Sequence, residues 1–102
     1  MTGGLSDHHW SLLREALRAS PHVERVLLYG SRATGTFRHS SDVDLALVGR
    51  DLTLDDELRV RAAIDDSDFP YQVDVVRLAA LRNPALIRHI ETKGCVVFSA
   101  GA

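Results

Sequence analysis

The sequence has little of several residue types that define whole classes of protein. There is one cysteine among the 102 residues, so no disulfide can form within the chain. Lys and Arg number 12 against 14 Asp and Glu, and without a basic excess autonomous binding to nucleic acid is disfavoured. No run approaches the roughly 18 apolar residues of a membrane helix, and the N-terminus lacks a signal-peptide pattern. The composition predicts a single cytoplasmic domain over residues 1–102, with no membrane partner and no direct nucleic-acid partner.

Helical and strand-like segments alternate along the chain, with no repeat and no linker-like composition. Ser6 can cap a first helix that Pro21 ends, and Asn83-Pro84 can begin a last one. The predicted elements are a helix over 6–20, strands over 24–29 and 43–48, a helix over about 54–66, a strand over 71–76, a helix from 83 to 94 and the apolar run at 95–98. This order predicts an α/β fold, with a small sheet packed against helices.

Local patterns lead to further expectations about burial. Thr53 and Asp56 form a capping-box variant, and the buried stripe of the helix that follows is predicted to consist of Leu54, Leu58, Ala62 and Ile64. Cys95 is predicted to be a small buried hydrophobe within CVVF. The acids at the end of the same helix favour a solvated helix end over an acidic patch that docks a partner: Asp65, Asp66 and Asp68.

The five histidines show no spacing typical of metal ligands. Surface positions are therefore predicted for them, His89 included. Only His39, in the loop between Ser31 and Asp42, is placed where it could reach a nucleotide.

A glycine-serine turn follows the first predicted strand. Gly30 allows the backbone to turn sharply after Tyr29, and Ser31 can open a short helix whose free N–H groups point at an anion. A turn of this kind is common after strands, so by itself it is weak evidence for a phosphate site.

Acidic residues follow at a regular spacing. If Val43 faces the core, Asp42 and Asp44 project together to the opposite face of an extended segment. Asp74 lies within the apolar run YQVDVV, where an ionised group is costly unless it is paired, metal-bound or solvated at an edge. If this strand lies beside the one that carries Asp44, three carboxylates converge and can bind Mg²⁺.

The segment GSRATGTFRHSSDVDL resembles the motif of the nucleotidyltransferase superfamily that includes DNA polymerase β. More narrowly, the whole chain resembles the minimal nucleotidyltransferases (MNT), which are typically antitoxins paired with HEPN-domain ribonuclease toxins. Members of that family often read GSRARGTARPDSDIDL. The departures are Thr34 in place of a frequent Arg and Ser40 in place of a frequent Asp.

The resemblance implies a polymerase β-like palm fold with a mixed sheet, and a role for each residue of the motif. Gly30 and Ser31 would hold the triphosphate of ATP. Asp42 and Asp44 would bind two Mg²⁺ ions, and Asp74 would complete one metal site and activate the acceptor. The nearby cations Arg32 and Arg38 could offset phosphate charge.

The implied function is that of the antitoxin of a type VII pair, in a hetero-oligomer with its toxin. The chain would transfer AMP from ATP to a tyrosine of the HEPN toxin and release pyrophosphate. Two alternatives remain open. The chain could neutralise the toxin by binding alone, or it could modify a small molecule such as an antibiotic, although a chain this short has no second domain for an acceptor pocket.

Overall fold

The computed structural model describes residues 2–38 and 40–100. The elements follow the predicted order: α1 (Asp7–Leu17), β1 (Arg25–Tyr29), α2 (Ser31–Thr34), β2 (Val43–Val48), α3 (Leu54–Asp65), β3 (Val73–Arg77), a short 3-10 helix (Leu78–Ala80), α4 (Pro84–Lys93) and β4 (Cys95–Ser99). Within these residues, none of the helices has the length and apolar character needed to cross a membrane.

The four strands form one mixed sheet in the order β3-β2-β1-β4. β1 pairs antiparallel with both β2 and β4, whereas β2 and β3 run parallel. The parallel pair is possible because α3 carries the chain from one end of the sheet back to the other. The predicted α/β class and mixed sheet are therefore confirmed, as is the central position of β1 and β2.

Helices cover both faces of the sheet. On one face, α1 and α3 pack against side chains of β1, β2 and β3 in a core that includes Leu13, Leu17, Val26, Leu28, Leu45, Val60 and Val75. On the other face, Ile90 of α4 packs against Leu27, Tyr29 and Ala46. The two central strands are buried on both faces, which explains why their sequences read as continuous apolar runs.

Helix α1 has the predicted cap and the predicted face. The Ser6 side chain accepts a hydrogen bond from the His9 backbone N–H, and the buried side chains are Trp10, Leu13, Ala16 and Leu17. The helix ends at Leu17, before Pro21, and β3 begins at Val73, two residues later than the sequence predicted.

The buried stripe predicted for α3 is correct at Ile64 and wrong at its other three residues. Leu54 and Leu58 are 53% and 51% exposed, and Ala62 is exposed as well. The buried residues of the helix are Asp56, Val60 and Ile64. The predicted capping box is present, and Asp56 Oδ1 also accepts a hydrogen bond of 2.8 Å from the Ser20 hydroxyl. This buried polar contact turns the Asp56 face of the helix inward, and Val60 and Ile64 follow at one and two turns.

The prediction that Cys95 is buried is also wrong, because its side chain is exposed. β4 is the last strand of the sheet and pairs on one side only, with β1. Its register shifts by one residue at Val26 and Leu27, so Val97 is the buried residue of the strand. An apolar run on an edge strand therefore has fewer neighbours than the same run in the centre of a sheet.

Candidate active site

The turn after β1 is built around a glycine that no other residue can replace without strain. Gly30 has a φ of +75°, and a Cβ at this position would lie 2.4 Å from Oδ2 of Asp44. The four-residue helix α2 starts directly after it and ends at Gly35, which has a φ of +83°. The predicted turn is thus present, and its backbone lies directly against a carboxylate of the next strand.

The pairing of the strands brings the predicted carboxylates to one edge of the sheet. Val43 is fully buried in the core, so Asp42 and Asp44 flank an inward-facing residue as expected. In the β2–β3 register Asp44 lies opposite Asp74, and in the β1–β2 register it lies opposite Tyr29. Asp44 is therefore the centre of a row that crosses three strands.

The acidic side chains of this row lie close enough to raise the pKa of Asp44 and of Tyr29. The pKa of Asp44 is raised by burial first, and then by the charges of Asp74 and Asp42. Burial, followed by the charges of Asp44 and Asp74, raises the pKa of Tyr29 to about 12. Carboxylates held together against their repulsion are the oxygen donors that Mg²⁺ prefers. The donor set therefore fits a divalent cation.

The raised pKa predicts that Asp44 destabilises the fold at neutral pH. A carboxyl whose pKa is higher in the folded state than in the unfolded state loses stability as the pH rises from the unfolded value, about 3.9, through the folded one. We expect Asp44→Asn to melt at a higher temperature than the wild type at pH 7 without divalent cations, and the difference to vanish below about pH 4. Differential scanning calorimetry across this range tests the prediction, and equal melting temperatures at pH 7 would contradict it.

Asp74 lies at the exposed side of the row. Its side chain is 53% exposed, and Oδ1 lies 3.7 Å from a guanidinium nitrogen of Arg61. Arg61 also donates to the Val75 carbonyl and lies 3.5 Å from Glu57. Over residues 2–38 and 40–100, no three His, Cys, Asp or Glu side chains form a ready ligand set. Mg²⁺ needs only one or two carboxylates when substrate phosphates supply further oxygens, so Asp42 and Asp44 would suffice as protein ligands.

Arg32, one of the two cations that could offset phosphate charge, is buried in the structure. The residue is only 3% exposed, and its guanidinium donates to the carbonyls of Gly3 at 2.7 Å and Ser41 at 3.0 Å. It also lies over the rings of Phe37 and Tyr71, about 5 Å from each centroid. Because Ser41 directly precedes Asp42, this side chain links the turn to the loop that carries the first carboxylate.

Arg38 is exposed, and its backbone N–H donates to the Ser41 hydroxyl at 2.8 Å. The residue lies in the loop between the turn and the carboxylates, with its side chain exposed. His39, the other residue of this loop considered for nucleotide contact, lies outside the described residues.

Two residues of this region were not predicted from the sequence to be part of the site. Tyr29 was assigned only to the strand, and His89 was predicted to be on the surface. In the structure Nε2 of His89 accepts a hydrogen bond of 3.1 Å from the Gly30 N–H, and its ring packs edge-on against Tyr29. The only signal in the sequence was the position of His89 one residue before the core residue Ile90, which alone does not point to a turn 59 residues away.

Comparison with models of protein families identifies the family to which this chain belongs. A family model described as "Polymerase beta, Nucleotidyltransferase" matches residues 12–101, which is most of the chain. The chain belongs to the polymerase β-like nucleotidyltransferase family. The motif, the mixed sheet and the row of carboxylates are all within the matched segment. Among curated proteins, no relative matches the sequence.

Solved structures narrow the comparison. A toxin–antitoxin crystal structure with AMP-PNP is similar with a TM-score of 0.65 and 22% identity, covering 90% of this chain and 74% of that one. An MNT antitoxin in complex with tri-AMPylated HEPN toxin of Shewanella oneidensis is similar with a TM-score of 0.62 and 19% identity, covering 93% of this chain and 73% of that one. A nucleotidyltransferase of Sulfolobus solfataricus is similar with a TM-score of 0.54 and 17% identity, covering 89% of this chain and 77% of that one. At these identities the likeness establishes a shared fold.

Proposed function

We propose that this chain is the antitoxin of a type VII toxin–antitoxin pair. It transfers AMP from ATP to a tyrosine of a cognate HEPN-domain ribonuclease toxin and thereby silences it. The observation that carries the proposal is the register of Asp44 opposite Asp74, beside a Gly30 turn whose backbone touches the Asp44 carboxylate. Support for the partner comes from the likeness to a toxin–antitoxin structure with AMP-PNP and to an MNT antitoxin in complex with a tri-AMPylated HEPN toxin.

The residues of the turn bind the substrate in this proposal. The Ser31 N–H lies at the first position of α2 and has no acceptor within the helix, so it is available to a phosphate oxygen of ATP. The exposed Arg38 offsets phosphate charge. The buried contacts of Arg32 favour a role in holding Ser41, and through it Asp42, rather than a direct contact with phosphate.

The carboxylates supply the chemistry. Asp42 and Asp44 would hold Mg²⁺, which would supply positive charge to offset that of the triphosphate and of the leaving group. The acceptor hydroxyl attacks the α-phosphorus in line and the new O–P bond forms. The bond from the α-phosphorus to the oxygen that bridges the α- and β-phosphates breaks, and pyrophosphate leaves with that oxygen. Asp74 accepts the hydroxyl proton, because it lies opposite Asp44 and its carboxylate is open to solvent.

The acceptor in this proposal is a protein. Asp74 lies on β3, an edge strand, and its carboxylate is open to solvent. A tyrosine presented on the surface of another protein can approach the row of carboxylates from this side. The partner then supplies the second wall of the acceptor site.

The experiment mixes the chain with Mg²⁺, ATP and the HEPN protein encoded beside it, and measures the intact mass of that protein and its ribonuclease activity. We expect a mass increase of one or more AMP groups and loss of ribonuclease activity with the wild type, and neither with Asp42→Asn. Asp51→Asn, which alters an exposed acid outside the site, is the matched control and keeps both effects. Neutralisation without any adduct, equally strong in Asp42→Asn, would contradict AMP transfer and favour neutralisation by binding alone.

A further inference from the structure

The hydrogen bond between α4 and the Gly30 turn extends the site to a residue that the motif does not include. Gly30 is held from two sides: its carbonyl accepts from the N–H groups of Ala33 and Thr34 at 3.1 and 3.2 Å, and its N–H donates to His89 Nε2 at 3.1 Å. The first two bonds belong to α2 itself. The third joins the turn to a different helix of the fold.

The direction of this hydrogen bond determines which ring nitrogen of His89 must carry the proton. A ring nitrogen that accepts a hydrogen bond carries no proton, so this contact requires the tautomer of His89 with its proton on Nδ1. The half-buried ring packs edge-on against Tyr29, with the centroids 6.4 Å apart and the planes at 75°. The next residue, Ile90, is fully buried against the sheet. The core thus fixes α4, and α4 fixes the position of the accepting nitrogen.

The contact bears on phosphate binding because it holds the Gly30 N–H in a set direction. The φ of +75° is one that glycine adopts readily, and a side chain at this position would clash with Asp44 Oδ2. With the Gly30 N–H directed to His89, the next N–H along the chain, that of Ser31, has no acceptor within α2 and faces an incoming anion. A change in the direction of the Gly30 peptide would rotate the Ser31 N–H as well.

We infer that His89 is a positioning residue for the triphosphate: by accepting the Gly30 N–H it holds the turn in the conformation that presents Ser31 to the nucleotide. The inference rests on the proposed function, since it concerns the same nucleotide site. His89 touches the backbone of the turn and takes no part in the proton transfer or in the binding of Mg²⁺.

The test measures Mg²⁺–ATP affinity by isothermal titration calorimetry, without any acceptor protein. We expect His89→Ala to weaken binding by about tenfold, the loss that follows from one hydrogen bond and the disorder of the turn. His89→Gln, which can present an amide oxygen to the Gly30 N–H, is expected to recover most of the affinity. Arg88→Ala is the matched control, because it changes an exposed neighbour on the same helix and leaves the turn intact.

The NMR signal of the Gly30 amide separates positioning from a purely structural role. The Gly30 amide resonance is expected to shift in His89→Ala and to return toward its wild-type position in His89→Gln. Unchanged ATP affinity in His89→Ala, even with a lower melting temperature, would overturn the inference, as would tighter binding. A wild-type protein that binds no ATP would overturn the proposed function and this inference together, whereas normal wild-type binding with an unaffected His89→Ala variant overturns this inference alone.

Discussion

Replacing Asp44 with asparagine is expected to lower the rate of AMP transfer by about a thousandfold or more. Asp44 is the central member of the row, opposite Tyr29 on one strand and Asp74 on the other. In the proposed mechanism it holds the cation that stabilises developing charge, a contribution of several kcal/mol. Each 1.4 kcal/mol, approximately, corresponds to a factor of ten in rate. Single-turnover AMP transfer, followed by mass spectrometry, gives the two rates directly.

The interpretation of this result does not depend on the stability of the variant. The raised pKa of Asp44 means that its charge opposes folding at neutral pH, so Asp44→Asn is expected to be at least as stable as the wild type. Asp51→Asn removes an exposed acid beyond the end of β2 and is expected to transfer AMP at the wild-type rate. A rate within about tenfold of the wild type in Asp44→Asn would be incompatible with a role as metal ligand.

Replacing Gly30 with alanine is expected to weaken ATP binding by at least about tenfold, since more than one favourable contact is lost. The added Cβ would lie 2.4 Å from Asp44 Oδ2, so either the turn must open or the carboxylate must move. Both changes disturb the site, the first at the phosphates and the second at the metal. Calorimetric titration with Mg²⁺–ATP measures the loss.

Gly35→Ala provides a close control for this variant. Gly35 also has a positive φ, +83°, but a Cβ there would meet nothing within 4 Å. Gly35 is in the left-handed αL conformation, whereas Gly30, with a ψ of −155°, is in a conformation that is essentially restricted to glycine. Each substitution strains the backbone by about 1–3 kcal/mol, and only the one at Gly30 brings a clash with Asp44. We therefore expect both variants to lose stability and only Gly30→Ala to lose affinity. Equal affinities in the two variants would show that the approach of Gly30 to Asp44 has no part in binding.

The sequence predicted those parts of the fold that depend on local signals. The Ser6 cap, the Thr53–Asp56 capping box and the Pro84 helix start are set by residues within one turn of each other. The bounds of β2 were predicted correctly because Gly49 ends an apolar run that is buried on both faces. That Asp44 lies opposite Asp74 could be predicted only on the condition that β2 and β3 pair, because the sequence does not show which strands are neighbours.

The errors arose where contacts across the fold decide between local alternatives. Helix α3 has apolar residues on two faces, and a hydrogen bond to Ser20, 36 residues away in sequence, selects the face that is buried. The exposure of Cys95 follows from the edge position of β4, which no local pattern reveals. The same holds for His89, whose partner in the Gly30 turn becomes a neighbour only once α4 packs on the sheet.

The central claim is that the Gly30 turn and the carboxylates of β2 and β3 form one nucleotide and metal site. Mn²⁺ prefers the same oxygen ligands as Mg²⁺ and broadens nearby NMR signals, so it reports the position of the ion. With a non-hydrolysable ATP analogue present, we predict that a sub-stoichiometric addition of Mn²⁺ broadens the amide signals of Gly30, Asp42, Asp44 and Asp74. Broadening confined to the exposed acids at the end of α3, Asp65, Asp66 and Asp68, or the same broadening in Asp44→Asn, would contradict the account.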